Sequence, residues 1–258
     1  MRILLSNDDG IDAPGLAELA RKAETLGEVW VVAPDGERSA CSHAFTMHSP
    51  VRVEERGTRR FAVSGTPADC VYLAVHELLP GPPDLVLSGV NRGGNLGDDV
   101  LYSGTVAAAR EGYLNGISAV AVSLSMEFPT SRVGPVFSEA ATLAVEVAQD
   151  LLASQPGEPM LLNLNVPNEP MEKIGGVVVT EMGRRRYAPL ADSRKDPRGR
   201  KYFWLGGAHE RFCGVPGTDG VAVEQGLASL TPLQTNMTAT GALPKLSGWS
   251  VIKPPEAL

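Results

Sequence analysis

The sequence predicts an α/β fold: a doubly wound, mostly parallel sheet to about residue 180, followed by an irregular C-terminal extension. Three observations predict it. Short apolar runs without alternation, Ile3-Leu4-Leu5 and Val29-Trp30-Val31-Val32-Ala33, read as strands buried on both faces. Segments of helical spacing separate such runs, as in βαβ units with parallel strands. After Val179 the texture changes. Arg184-Arg185-Arg186, Arg194, Lys195, Arg198, Arg200 and Lys201 fall there in a stretch punctuated by Gly and Pro.

Each element has its own signal. Residues 3–5 form the first strand. Leu16, Leu19, Ala20, Ala23 and Leu26 mark a helix from Pro14, whose missing N–H costs nothing in a first turn, to the stop at Gly27. Residues 29–33 are the second strand, ended by Pro34. Residues 51–55 and 60–64 flank Arg56-Gly57-Thr58-Arg59 as a hairpin. Thr66-Pro67-Ala68-Asp69 reads as a capping box that opens a helix to about Leu79. Strands follow over 84–88, 119–124 and 160–166, and helices over 105–115 and 136–152. Residues 221–230 have a helical period that Thr231-Pro232-Leu233 breaks.

The 258 residues suit one large domain or a domain with an appendage, divided here into a Rossmann-like core, 1–180, and an extension, 181–258. A net charge of −7 argues against a nucleic-acid polymer as partner, which needs a basic face. Cys41, Cys70 and Cys213 are scattered, so a thiolate zinc site is not expected and a reducing compartment is. The N-terminal apolar stretch meets Ser6-Asn7-Asp8-Asp9 too early for a signal peptide, and no run of membrane-spanning length follows. These features imply a cytoplasmic enzyme with no membrane partner.

In open parallel sheets, ligands bind outside the carboxyl ends of the strands. Three such ends carry polar residues: Asn7-Asp8-Asp9-Gly10, Asp35-Gly36-Glu37-Arg38-Ser39, and Ser88-Gly89-Val90-Asn91-Arg92-Gly93-Gly94-Asn95. Asp8 and Asp9 repel each other unless a cation compensates them, and Ser39 and Asn91 can add neutral oxygen ligands. An all-oxygen set suits Mg²⁺ or Mn²⁺. The plainer reading is that Asp8 and Asp9 cap the helix near Pro14; their place after a buried first strand, with two matching loops, favours the cation. Asn7 braces the loop and Gly10 permits the turn. Ser103-Gly104-Thr105 precedes a helix, where free N–H groups and hydroxyls favour an anion, and Asn95 can donate to the same phosphate. The plainer reading of Ser103 is an N-cap. His43 and His48 lie in the following loop of strand two; His43 is the candidate leaving-group acid, against the alternative of solvated loop histidines.

Together these segments resemble the SurE family of nucleotidases. The resemblance is carried by Ile3-Leu4-Leu5-Ser6-Asn7-Asp8-Asp9-Gly10, Ser64-Gly65-Thr66-Pro67-Ala68-Asp69-Cys70-Val71, Asp84-Leu85-Val86-Leu87-Ser88-Gly89-Val90-Asn91-Arg92-Gly93-Gly94-Asn95 and Tyr102-Ser103-Gly104-Thr105-Val106. Asn163-Leu164-Asn165-Val166-Pro167, Asp196-Pro197-Arg198-Gly199-Arg200 and Leu230-Thr231-Pro232-Leu233 extend it. Ser6 and Leu227-Ala228 depart from the family's usual Thr and Tyr-Val. The resemblance implies a 5′/3′-nucleotidase acting on nucleoside monophosphates, with short polyphosphate as a further substrate. It implies one divalent metal ion per subunit on Asp8, Asp9, Ser39 and Asn91, phosphate contacts near Asn95, Ser103, Gly104 and Thr105, and a homodimer or homotetramer with an exchanged C-terminal arm.

Two mechanisms remain open at this level. In one, Asp8 or Asp9 orients or deprotonates an attacking water; in the other, one of them is the nucleophile. A binding module without turnover is the alternative function, against which the paired carboxylates speak. Tyr102, Tyr187, Tyr202, Phe203 or Trp204 can stack on a base.

Overall fold

In the computed structural model the strands of the described residues form one nine-stranded sheet and two small antiparallel pairs. The structure describes residues 1–126, 134–155, 157–187, 190–206, 209–246, 249 and 251, with 186, 187, 190, 206 and 209–212 described by backbone alone. In chain order the strands are β1 (Arg2–Ser6), β2 (Glu28–Pro34), β3 (Val53–Gly57), β4 (Arg60–Val63), β5 (Leu85–Arg92), β6 (Ala119–Ser125), β7 (Leu161–Pro167), β8 (Val177–Val179), β9 (Arg185–Tyr187), β10 (Leu190–Lys195), β11 (Lys201–Gly206), β12 (His209–Phe212) and β13 (Ala228–Leu233). The large sheet runs β3-β4-β2-β1-β5-β6-β7-β13-β8. From β2 through β7 every neighbouring pair is parallel.

Both faces of this sheet are covered, which explains the unalternating apolar runs. Ile3 and Leu5 of β1 face α1 (Pro14–Ala23) and α4 (Ser138–Ser154) in one core, with Leu87, Val120 and Leu143. Leu4 faces the other way, into a core with Val71 of α2 (Pro67–Leu73) and Val106 of α3 (Gly104–Leu114). The capping box is present: Thr66 Oγ1 accepts from the Asp69 N–H, and Asp69 accepts from the Thr66 N–H. The helix continues past Leu73 as a wider turn over Ala74–Leu78.

From β1 the chain winds out to β2 and the β3–β4 hairpin, then returns across β1 to β5 and on to β7. The winding reverses between β1 and β5. That reversal opens a crevice at the carboxyl ends of both strands.

The helical period over 221–230 yields only a short helix, α5 (Asp219–Glu224). Ala228–Leu233 instead becomes β13, antiparallel to β7 and parallel to β8. Pairing with two waiting strand edges overrides local period here. The sheet therefore draws on residues well beyond 180. The three cysteines are free. Among the described residues no helix is long and apolar enough to cross a membrane.

Candidate functional site

The β1 and β5 ends meet in a cleft of about 480 Å³, lined among others by Asp8, Asp9, Ser39, Asn91, Asn95 and Ser103. Six residues chosen from sequence thus share one surface. Asp8 is buried and Asp9 half-buried. Ala13, with no side-chain hydrogen bond, is the N-cap of α1, so neither carboxylate serves as that cap. Asn7 braces the turn as expected: its Nδ2 donates to the Gly10 carbonyl and its Oδ1 accepts from the Gly10 N–H.

Burial lifts the Asp8 carboxyl from an ordinary 3.8 to about 6; the Thr105 hydroxyl bond opposes the rise and the Asp9 charge adds to it. Asp9 is raised too, mainly by burial, with an N–H bond from Arg92 working against it and Glu37 with it. Two adjacent acids held above their ordinary range sit in a poor environment for negative charge, which a cation in the cleft would relieve.

The second and third loops add oxygen atoms. Ser39 is exposed, its hydroxyl donating to Glu37 Oε1 at 2.8 Å. Asn91 donates through Nδ2 to the Gly93 carbonyl at 2.8 Å, which leaves Oδ1 as its acceptor. A register slip in the β5–β6 pairing between Ser88 and Asn91 puts an extra residue in β5 and re-aims its end. Two carboxylates, a hydroxyl and an amide oxygen are a chemically fitting set for a hard divalent cation. Among the described residues no group of three or more His, Cys, Asp or Glu is arranged to hold a metal ion, so any ion here depends on the neutral oxygens as well.

The start of α3 packs directly under Asp8. Ser103 lines the cleft and is the N-cap, accepting from the Val106 N–H at 3.0 Å. Thr105 is fully buried and donates to Asp8 Oδ1 rather than lining the cleft. Gly104 lies against the same carboxylate: a Cβ there would stand 2.7 Å from the Asp8 Cβ and 2.9 Å from Oδ2. Thr105 and Gly104 therefore shape the cleft through Asp8.

Asn95 is buried in a polar network that sequence reasoning missed. Its Nδ2 donates to Ser123 Oγ, its N–H to Asn165 Oδ1, and its carbonyl accepts from Asn163 and Asn165. The signal was Ser123, Asn163 and Asn165 standing inside otherwise apolar strands, since buried polar groups need partners. Glu37, Arg92, Asp99, Tyr102 and Arg185 also line the cleft, Tyr102 being the residue the sequence offered for stacking on a base.

His43 does not reach the cleft. Its ring is 17% exposed, stacks on Phe45, and its Nε2 lies 2.8 Å from Oε2 of the buried Glu111. The loop around it is pinned by Ser42 on the Tyr102 and Leu101 carbonyls and by Thr46 on Asp69. His48 is exposed. Tyr202, Phe203 and Trp204 are exposed on β11, and Tyr187 is described by backbone alone.

This arrangement is similar to known proteins. The family described as "Survival protein SurE" matches residues 3–189. The chain belongs to the SurE family. A relative from Geobacter sulfurreducens named "5′-nucleotidase SurE" is 48% identical over 251 residues, 97% of this chain and 94% of that protein. One of the same name from Rhodospirillum rubrum is 45% identical over 248 residues, 96% of this chain and 95% of that protein. The crystal structure of the SurE protein from Aquifex aeolicus superposes with a TM-score of 0.83 at 38% identity, covering 96% of this chain and 98% of that one. SurE membership thus extends over the segments that hold Asp8, Asp9, Asn91 and the start of α3.

Proposed function

We propose that this chain is a divalent-metal-dependent phosphatase that hydrolyses nucleoside 5′- and 3′-monophosphates, with short polyphosphate as a secondary substrate. The nucleotidase reading is supported by the name its relatives carry. The observation behind the phosphatase chemistry is the pair Asp8 and Asp9, both raised, sharing a cleft with Ser39, Asn91 and a helix start.

In this reading Asp8, Asp9, Ser39 and Asn91 hold one Mg²⁺ or Mn²⁺ ion. Such an ion, when bound, would neutralise the carboxylates and supply Lewis-acid polarisation of the ester phosphate. Asp9, the more accessible acid, orients the attacking water and takes its proton as the water oxygen bonds to phosphorus and the ester P–O bond breaks, and the leaving nucleoside oxygen receives that proton back. Asn95 and Ser103 hold phosphoryl oxygens, and Thr105 and Gly104 fix the Asp8 geometry beneath them. The exposed Phe203, Trp204 and Leu205 of β11 fit an arm that packs on a second copy of the chain.

Phosphate release from nucleoside monophosphates, with and without chelator, tests this. Turnover should vanish on chelation and return with Mg²⁺ or Mn²⁺. Chelator-resistant turnover overturns the metal assignment; tight binding without turnover returns the sensor reading. Trapped phosphoenzyme would make an Asp the nucleophile instead of the base.

A further inference from the structure

The chain beyond residue 180 reaches the cleft through Arg185 of β9. Its Nη1 pairs with Asp99 Oδ2, and the two side chains are only 6% and 19% exposed. Asp99 belongs to the short helical turn Gly97–Leu101, and Arg185 follows Gly183 by two positions. The positions of both turns decide where this pair sits.

One carboxylate joins the two turns. Asp219, at the start of α5, is fully buried. Its Oδ2 accepts from the Gly97 N–H at 2.7 Å. Its Oδ1 accepts from the Gly183 N–H at 2.8 Å and the Gly220 N–H at 2.7 Å. Its own N–H donates to the Glu181 carbonyl at 2.9 Å, so the backbone carrying the carboxylate is fixed as well. The turns also touch each other: Gly97 has a φ of +55°, and a Cβ there would stand 2.7 Å from the Gly183 carbonyl oxygen. Burying an ionised carboxylate is costly, and hydrogen bonds from backbone N–H groups to an anion are short, strong and directional. Such a clamp is stiffer than the two turns could be alone.

The cleft lining carries Asp8, Asp9, Glu37 and Asp99 against Arg92 and Arg185. An anionic ester approaching four acids depends on where the cations stand. We propose that Asp219 is a positioning residue: it locks the Gly97 turn to the Gly183 backbone and so holds the Arg185–Asp99 pair on the cleft wall, where Arg185 meets the phosphate ester. This rests on the phosphatase reading of the cleft.

Asp219→Asn is the discriminating variant. An amide can keep the Oδ1 bonds to Gly183 and Gly220 but sets an NH₂ group against the Gly97 N–H. Amide hydrogen exchange over residues 97–102 and 183–187, and steady-state hydrolysis of a nucleoside monophosphate at saturating Mn²⁺, are measured together. Exchange over 97–102 should quicken about tenfold and KM should rise about tenfold, with kcat within about threefold. Arg185→Met should reproduce the KM rise while exchange at Gly97 stays slow. Unchanged exchange in Asp219→Asn overturns the clamp; faster exchange with unchanged KM makes Asp219 a brace of the fold only and overturns the positioning role. If Asp219→Asn does not fold, an unchanged KM in Arg185→Met overturns the proposal alone. A wild-type chain that releases no phosphate counts against the phosphatase reading instead. The affinity of the Mn²⁺-loaded protein for inorganic phosphate then replaces KM, and equal affinity in wild type and variants overturns the proposal.

Discussion

The hydroxyl of Thr105 donates to Oδ1 of Asp8 across 97 residues of sequence; both groups are buried, Asp8 in the cleft wall and Thr105 behind it. This bond favours the ionised carboxylate and so offsets part of the burial that lifts Asp8 to about 6. Thr105→Val removes the donor and keeps the shape. The Asp8 pKa should climb by about one unit in the metal-free protein, and the acid limb of kcat/KM should move to higher pH with it. Thr105→Ser should restore the wild-type profile. An acid limb that stays in place in Thr105→Val would separate Asp8 from catalysis.

Stability should carry the same signature. In the unfolded chain the Asp8 carboxyl loses its proton near 3.8, and in the folded chain near 6. Between those values the folded state keeps a proton the unfolded state has released. Asp8 therefore lowers metal-free stability progressively as pH rises from about 4 to about 6, by about 3 kcal/mol, and the loss persists above that. Asp8→Asn should raise the thermal midpoint at about pH 8 in chelator, and added Mn²⁺ should stabilise the wild type far more than the variant. Identical midpoints with chelator would count against burial as the source of the shift.

Gly104→Ala separates geometry from folding. Alanine favours a helix by up to about 1 kcal/mol over glycine, but here its Cβ meets the Asp8 side chain. The thermal midpoint should stay within a few degrees of wild type while kcat/KM drops about 100-fold, because a displaced carboxylate misplaces the reacting groups. Near wild-type turnover would show that Asp8 tolerates the shift.

His43→Gln tests the histidine that sequence offered as a proton donor. The ring is held by Glu111 away from the cleft lining. Turnover should fall no more than about threefold, with the basic limb of the pH profile unchanged, whereas loss of a general acid typically costs about 100-fold or more. A loss of that size would return His43 to the chemistry.

Much of the site was legible because a parallel sheet gathers its strand ends. Asp8, Asp9, Ser39 and Asn91 each follow a strand that the apolar runs revealed, so their meeting could be anticipated from order alone. Thr105 and Gly104 were found as a helix start, but which way they face is set by the packing of α3 on β5 and β6 and was not written locally. Arg185 and Asp219 stood in a region with weak periodicity, and their reach to Asp99 and Gly97 comes from long-range closure. β13 was hidden for the same reason: its pairing partners lie elsewhere in the chain, while its own period points to helix.

The bond between Gly97 and Asp219 spans 122 residues. During synthesis the amino-terminal part of a domain is exposed first and can begin to fold before the rest exists. A growing chain that has emerged to β7 already has both carboxylates and their supporting helix, yet the opposite wall cannot close until Asp219 has left the ribosome. Ribosome-bound intermediates of this protein should therefore pass through a stage with an open cleft, and the gain of function should come abruptly with one late stretch of chain.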